Sequence, residues 1–303
     1  MEFRQIEAFI KVVELASFSK AAEELHISQP SVSTYISSLE RELGTVLINR
    51  STKVLSTTLA GEHFLEKAKE MISLSRKTFE AIKNLDGDIS GEIRILASSV
   101  PALYILPRAL AEFHKLYPRT SFSLTQTDTS EVIRGIASQK ADIGFAGSIV
   151  QDRKCEFSEI VDEELLCVAP NDGSYPEGKV FALDDLLYSN SFISRELGSG
   201  TRMQYEKFFI EKGIDLDKIS ICATIGNTQG IINAVSHGLG ISIVSKLAAS
   251  QTLKQKLIVP IRLKEELPTR KIYAVLNRSI VHSHLTKLLI EHVVDSCLHG
   301  EEQ

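Results

Sequence analysis

The four cysteines of this 303-residue chain, Cys155, Cys167, Cys222 and Cys297, lie far apart and form no Cys-x-x-Cys pair. That spacing makes a reducing compartment, with thiols acting as small buried hydrophobes, the default reading. A redox sensor needs an exposed, acidified thiol, and only Cys155, beside Lys154, has an adjacent cation. No apolar run approaches the length that spans a bilayer, and Met1-Glu2-Phe3-Arg4 leads directly into a helical pattern without a signal peptide. A cytoplasmic protein with no membrane partner is expected. Also missing are a Gly-x-Ser-x-Gly elbow, a phosphate loop ending Gly-Lys-Ser/Thr and a Gly-x-Gly-x-x-Gly turn, so the sequence offers no enzyme signature. The histidine groupings of note, His282-x-His284 and Glu291-His292, read as solvated surface, and no metal site is expected. With 34 basic and 39 acidic residues the formal net charge is -5, and 43% hydrophobic with 24% charged residues is ordinary for a globular chain of two or three domains.

What is present begins at the amino terminus. Phe3, Ile6, Phe9, Ile10 and Val13 recur at helical spacing and are expected to be the buried face of a first helix. Ser19 is placed to cap a second helix, whose Ala21, Ala22 and Leu25 allow a third to cross closely. Ser28 is the natural cap of that third helix, with Pro30 in its first turn, where a missing N–H costs nothing. Val32, Ile36 and Leu39 turn inward, leaving Gln29, Ser31, Ser33, Thr34 and Ser37 as short polar groups able to reach base edges and phosphates. The pattern is a winged helix-turn-helix over residues 1–58, the helix-turn-helix itself at about 18–37, and its partner is double-stranded promoter DNA. Six Lys or Arg against seven Asp or Glu in residues 1–57 leave this domain without the usual basic excess. Its positive charge gathers at the wing, where Arg50 and Lys53 stand in a stretch, 43–61, that has no acid. A shallow salt dependence per domain, and several copies per site, are therefore expected.

The segment Phe18-Ser-Lys-Ala-Ala22 through Ser28-Gln-Pro-Ser-Val-Ser33 resembles the DNA-binding domain of LysR-type transcriptional regulators, and the resemblance runs along the whole chain. The wing of that family reads Leu-Phe-x-Arg-x-x-Arg and then Leu-Thr-x-Ala-Gly. Here Leu47-Ile-Asn-Arg50-Ser-Thr-Lys53 and Thr57-Thr-Leu-Ala-Gly61 stand instead, so Lys53 keeps a phosphate contact but loses the bidentate fork of an arginine. The resemblance implies a homodimer or homotetramer, RNA polymerase as a further partner, and control of a divergently transcribed neighbour. Ala97-Ser-Ser and Gly198-Ser-Gly-Thr-Arg202 look most like subgroups that govern sulfur or selenium metabolism.

Leu65, Ala68, Ile72, Ser75, Phe79 and Ile82 step by three and four along a linker helix over 58–87, a heptad seam expected to pair with a second copy. After Gly91 short apolar strands alternate with helices, which indicates a parallel α/β sheet. Leu165-Leu-Cys-Val-Ala169 leaves the first subdomain, and Arg270 to Leu276 returns to it. An effector domain over 88–303 is expected, with lobe I at 91–164 and 265–303 and lobe II at 165–264. The resemblance implies the same periplasmic-binding-protein-like clamshell. Ligands of such sheets lie beyond the carboxyl ends of the strands, at helix N-termini. Ser98, Ser99, Thr127, Thr129, Ser199, Gly200, Thr201, Arg202, Asn227 and Thr228 occupy those positions. Taken singly such hydroxyls are ordinary caps, but their convergence from both lobes points to a pocket suited to an anion. Asp128 stands among them, so an inorganic oxyanion, a carboxylate and an amino-acid-like co-inducer all stay open. The reading is a ligand-responsive transcription factor without a tightly held cofactor. Its alternative is an α/β enzyme or solute receptor bearing an accessory helix-turn-helix.

Overall fold

The computed structural model describes residues 1–49, 55–83 and 89–298, in two compact units, Met1–Asp88 and Ile89–Gln303. In the first unit α1 (Phe3–Leu15), α2 (Phe18–Glu24) and α3 (Gln29–Leu43) pack around Phe9, Val32, Ile36 and Leu39, each fully buried. Two corrections concern local detail. The buried face of α1 is Gln5, Ile6, Ala8, Phe9, Ile10 and Val12, while Phe3 is 54% exposed and Val13 only partly covered. Phe3 is the first residue of the helix, directly after the Glu2 cap, and the helix presents position 12 rather than 13 to its neighbours. The cap of α2 is Ser17, whose Oγ accepts from the Lys20 N–H; Ser19 already lies inside the helix.

Ser28 caps α3 as expected, and Gly44 ends it in the left-handed conformation. A short antiparallel ribbon, β1 (Ile48–Asn49) and β2 (Ser56–Thr57), carries the wing; Arg50 and Lys53 lie outside the described residues. Next comes α4 (Leu59–Lys83). Its Gly61 lies so close to the turn before β1 that a Cβ there would stand 2.1 Å from the Leu47 carbonyl oxygen, so only glycine fits.

The heptad seam on α4 is divided. Ala68 is fully buried, and Leu65 and Ile72 pack against the helix-turn-helix core, with Phe64 edge-on to Phe9 at 5.2 Å between centroids. Lys69 reaches Glu14 of α1 at 2.9 Å. Farther along, Leu74 and Phe79 are 60% and 67% exposed, and the Ile82 side chain lies outside the described residues. The first half of the seam is thus spent within its own unit, because α1 offers an apolar face directly beside it.

The second unit has two lobes. The sheet of lobe I runs β4-β3-β5-β14-β6, built from β3 (Ser90–Ala97), β4 (Arg119–Gln126), β5 (Ile143–Ala146), β6 (Cys155–Glu163) and β14 (Arg270–Asn277). It is mixed rather than parallel: β3, β4 and β5 run together, and β14 is antiparallel to both β5 and β6. A π-type turn (Pro101–Ile105) leads into α5 (Leu106–Leu116), which with α11 (His284–Leu298) covers one face through Phe113, Leu285 and Leu289. On the other face α6 (Thr129–Ala137) buries Val132, Ile133 and Ile136.

In lobe II, β7 (Leu165–Pro170) lies between β11 (Ser242–Ser245) and β12 (Ile258–Pro260), antiparallel to both. Beside them β9 (Phe192–Arg195) pairs in parallel with β10 (Ile221–Ile225), and β8 (Val180–Phe181) pairs in parallel with β13 (Arg262–Leu263). Helices α7 (Leu183–Ser189) and α8 (Gly200–Glu211) pack on one side of the lobe. Helices α9 (Thr228–Ser236) and α10 (Lys246–Lys254) pack on the other. The chain crosses between the lobes twice, from β6 to β7 and from β13 to β14. Among the described residues no helix is long and apolar enough to cross a membrane.

Candidate functional site: a polar face on α3 and a cavity between the lobes

Gln29, Pro30, Ser33, Thr34 and Ser37 line one concave face of α3, joined by Ser38 and Arg41. The face exists because Val32, Ile36 and Leu39 hold the opposite side in the core. Its hydroxyls are not equivalent. Ser31 lies outside that lining, its Oγ 2.8 Å from the Ser28 capping hydroxyl, and Thr34 donates to the Pro30 carbonyl at 2.9 Å. Thr34 therefore offers its oxygen outward as an acceptor and has already spent its proton. Arg41 was missed from sequence, though it lies four residues beyond Ser37 and eight beyond Ser33 on the same helical stripe. It is exposed, and it gives this face a full positive charge.

In the second unit a narrow cavity lies between the lobes, with room at its centre for a group no larger than water, ≈ 10 Å³. Lobe I supplies Ser98, Ser99, Val100, Asp128, Thr129 and Arg270; lobe II supplies Arg195, Ser199, Gly200 and Thr201. Each element enters by its end. Ser98 and Ser99 follow β3, Thr129 opens α6, and Ser199 caps α8. A Cβ on Gly200 would stand 2.9 Å from both Ser148 Oγ and Thr129 Oγ1. Glycine there lets the first turn of α8 approach lobe I closely. Those two hydroxyl oxygens are buried and make no hydrogen bond. Unsatisfied buried groups are rare and costly, and of these two Thr129 lines the cavity.

The two arginines dominate the electrostatics, and neither was found from sequence. Arg195 ends β9 and Arg270 begins β14, each 4% exposed. Arg195 donates through Nη1 to Thr228 Oγ1 at 2.8 Å and through Nη2 to Ser99 Oγ at 3.3 Å. The Nε and Nη2 edge of the same guanidinium holds both carboxylate oxygens of Glu196, each at 2.8 Å. Arg270 donates through Nη1 to Thr201 Oγ1 at 2.8 Å and through Nε to Glu163 Oε2 at 2.6 Å. Ser99 also accepts from Gln126, and Tyr104 of lobe I donates to Gln229 of α9 at 2.6 Å.

The remaining sequence candidates fall outside the cavity lining. Arg202 is drawn along α8 to Glu206 at 2.7 Å and donates to the Arg195 carbonyl, so its charge is spent beside the cavity, whose lining arginines are Arg195 and Arg270. Asn227 caps α9 by accepting from the Gly230 N–H at 2.7 Å, and Thr228 reaches the cavity only through Arg195. Thr127 bonds back to the Ala97 carbonyl through its N–H. Asp128 lines the cavity but spends one oxygen capping α6 through the Glu131 N–H at 2.9 Å.

Cys155 is buried, donates weakly to the Ile133 carbonyl, and burial, with Asp152 nearby, pushes its thiol up to about 11. It is therefore a protonated thiol at neutral pH, which removes it as a redox candidate. No group of three or more His, Cys, Asp or Glu able to hold a metal ion occurs among the described residues.

Two family models divide the chain as its two units do. Residues 3–62 match the bacterial regulatory helix-turn-helix protein, lysR family, and residues 86–298 match the LysR substrate binding domain. The chain is 33% identical over 285 residues to the HTH-type transcriptional regulator CysL of Bacillus subtilis, an alignment covering 94% of this chain and 92% of that one. It is 32% identical over 241 residues to the HTH-type transcriptional activator CmpR of Synechocystis sp., covering 80% and 78%. The crystal structure of full-length CbnR with its target DNA superposes with a TM-score of 0.66 at 25% identity, covering 98% of this chain and 100% of that one. From the caps and core of α3 to the polar cleft of the second unit, the chain belongs to the LysR family of DNA-binding transcriptional regulators, with an N-terminal helix-turn-helix and a two-lobed effector-binding domain.

Proposed function

We propose that this regulator reads promoter DNA through the Gln29, Pro30, Ser31, Ser33, Thr34, Ser37 and Arg41 face of α3, assisted by Arg50 and Lys53, and that a small anion between the lobes sets its activity. The observation that carries the ligand class is the cavity itself. Two buried guanidiniums face it, the ends of α6 and α8 open onto it, and Thr129 holds an unpartnered hydroxyl there. Self-association through the exposed Leu74 and Phe79 stretch of α4 holds two reading heads at one spacing. A ligand changes that spacing only by binding one arrangement of the paired sensors better than another.

Support for a sulfur- or selenium-linked regulon comes from the runs Ala97-Ser-Ser and Gly198-Ser-Gly-Thr-Arg202, and RNA polymerase is the partner that would read the outcome. The deciding experiment is a thermal-shift screen of the full chain with sulfate, thiosulfate, selenium oxyanions, carboxylates and amino acids. The shift should disappear in Ser99→Ala and Thr201→Ala. A shift that survives both changes places the ligand elsewhere. Footprints on promoter DNA that are identical with and without the shifting compound would refute the switch.

A further inference from the structure

We propose that Glu196 is a resident stand-in for the effector, and that the natural ligand is a small, singly charged carboxylate that displaces it from Arg195. This inference rests on the cleft being the effector site. The two arginines of the cleft differ in how firmly their partners are held. Glu163, the partner of Arg270, is 5% exposed and is also bound by Ser245, so it is buried and held from two sides. Glu196, the partner of Arg195, is 23% exposed although the guanidinium it grips is 5% exposed. It sits at the start of a surface turn whose next residue, Leu197, is 79% exposed. One ion pair is therefore sealed and the other can open outward.

The geometry of the open pair defines what replaces it. The Glu196 carboxylate takes the Nε and Nη2 edge of Arg195 with two bonds of 2.8 Å, the planar two-point arrangement that a free carboxylate makes with a guanidinium. Thr228 and Ser99 hold the rest of the guanidinium in place whether or not Glu196 is there. Charge points the same way. Arg195, Arg270 and Asp128 line the cleft, and Glu196 and Glu163 are the ion-pair partners of its two arginines, so two positive charges stand against three negative ones. Adding an anion to that set is unfavourable, whereas exchanging Glu196 for one singly charged carboxylate leaves the count unchanged. A doubly charged oxyanion such as sulfate makes the cleft one unit more negative.

The test is isothermal calorimetry on the full chain with acetate, propionate, glycine, alanine and sulfate. It compares wild type with Glu196→Gln, Glu196→Asp, Arg195→Gln and Thr201→Ala. Glu196→Gln should bind the monocarboxylates more tightly by roughly tenfold, the change expected when one charge-assisted competitor is removed. Glu196→Asp should restore wild-type affinity to within about threefold, and Arg195→Gln should abolish binding. If wild type binds a monocarboxylate, Thr201→Ala loses it, and Glu196→Gln matches wild type, the displacement is wrong and the cleft stands. Tighter binding of sulfate than of every monocarboxylate by wild type overturns the ligand class and also leaves the cleft standing. No heat with any of the five in wild type or Glu196→Gln overturns both.

Discussion

Arg270 and Glu163 sit opposite each other in the β14–β6 ladder, and their side chains meet 2.6 Å apart in a fully enclosed ion pair at the point where the chain passes between lobes. Arg270 also holds Thr201 of lobe II, and Ser245 of lobe II holds Glu163. One buried pair thus ties both crossings to the opposite lobe.

Removing one member of that pair should be far worse than removing both. Arg270→Ala leaves the Glu163 carboxylate buried without its cation, and should destabilise the second unit by about 3–5 kcal/mol in urea unfolding. Arg270→Met combined with Glu163→Leu should recover most of the loss. A double variant no more stable than Arg270→Ala would show that the pair is not the source.

On α3, Arg41 adds the one formal charge among the described residues of a face otherwise made of hydroxyls, an amide and a proline ring. Arg41→Ala should weaken binding to every DNA sequence similarly and lower the slope of log K against log salt by roughly 0.9 for each protomer engaged. Fluorescence anisotropy across a salt series measures this. An unchanged slope would place Arg41 away from the phosphates.

Alkaline pH should loosen the second unit. Burial raises Cys155 from 9.0 to about 11 and Cys167 from 9.0 to about 12. The unfolded chain releases these protons first, so their contribution to stability is full below pH 9 and is lost as pH rises toward the folded values. Unfolding midpoints in urea should fall steadily across that window. Cys155→Ala and Cys167→Ala should each flatten the fall, and an equally steep fall in the double variant would assign it to other groups.

The helix-turn-helix was legible in sequence because its determinants are local. Caps such as Ser28, and the steps from Val32 to Ile36 and Leu39, lie within one or two turns of the groups they serve. The errors there are local too: Ser17 and Ser19 both suit a cap, and only the path of the chain chooses between them. The cleft was legible where helix ends betray it, at Ser99, Thr129, Ser199, Gly200 and Thr201. Its two arginines were not, because each lies in a strand and gains its role from partners such as Ser99 and Glu163, about a hundred positions away. No periodicity records such a pairing. The mixed sheet was missed for a related reason. The exposure of β6 follows no clean alternation, and its place beside β14 is set by the end of the chain.

That place has a consequence for how the protein is made. β14 lies between β5 and β6, so the sheet of lobe I has a vacant central position until residue 277 leaves the ribosome. The strands β7 to β13 of lobe II are all synthesised before then. During translation the interior lobe can therefore close first, while lobe I waits with β5 and β6 unjoined. A chain interrupted shortly before Arg270 would carry a finished lobe II attached to an open sheet edge, the form most exposed to pairing with a neighbouring nascent chain.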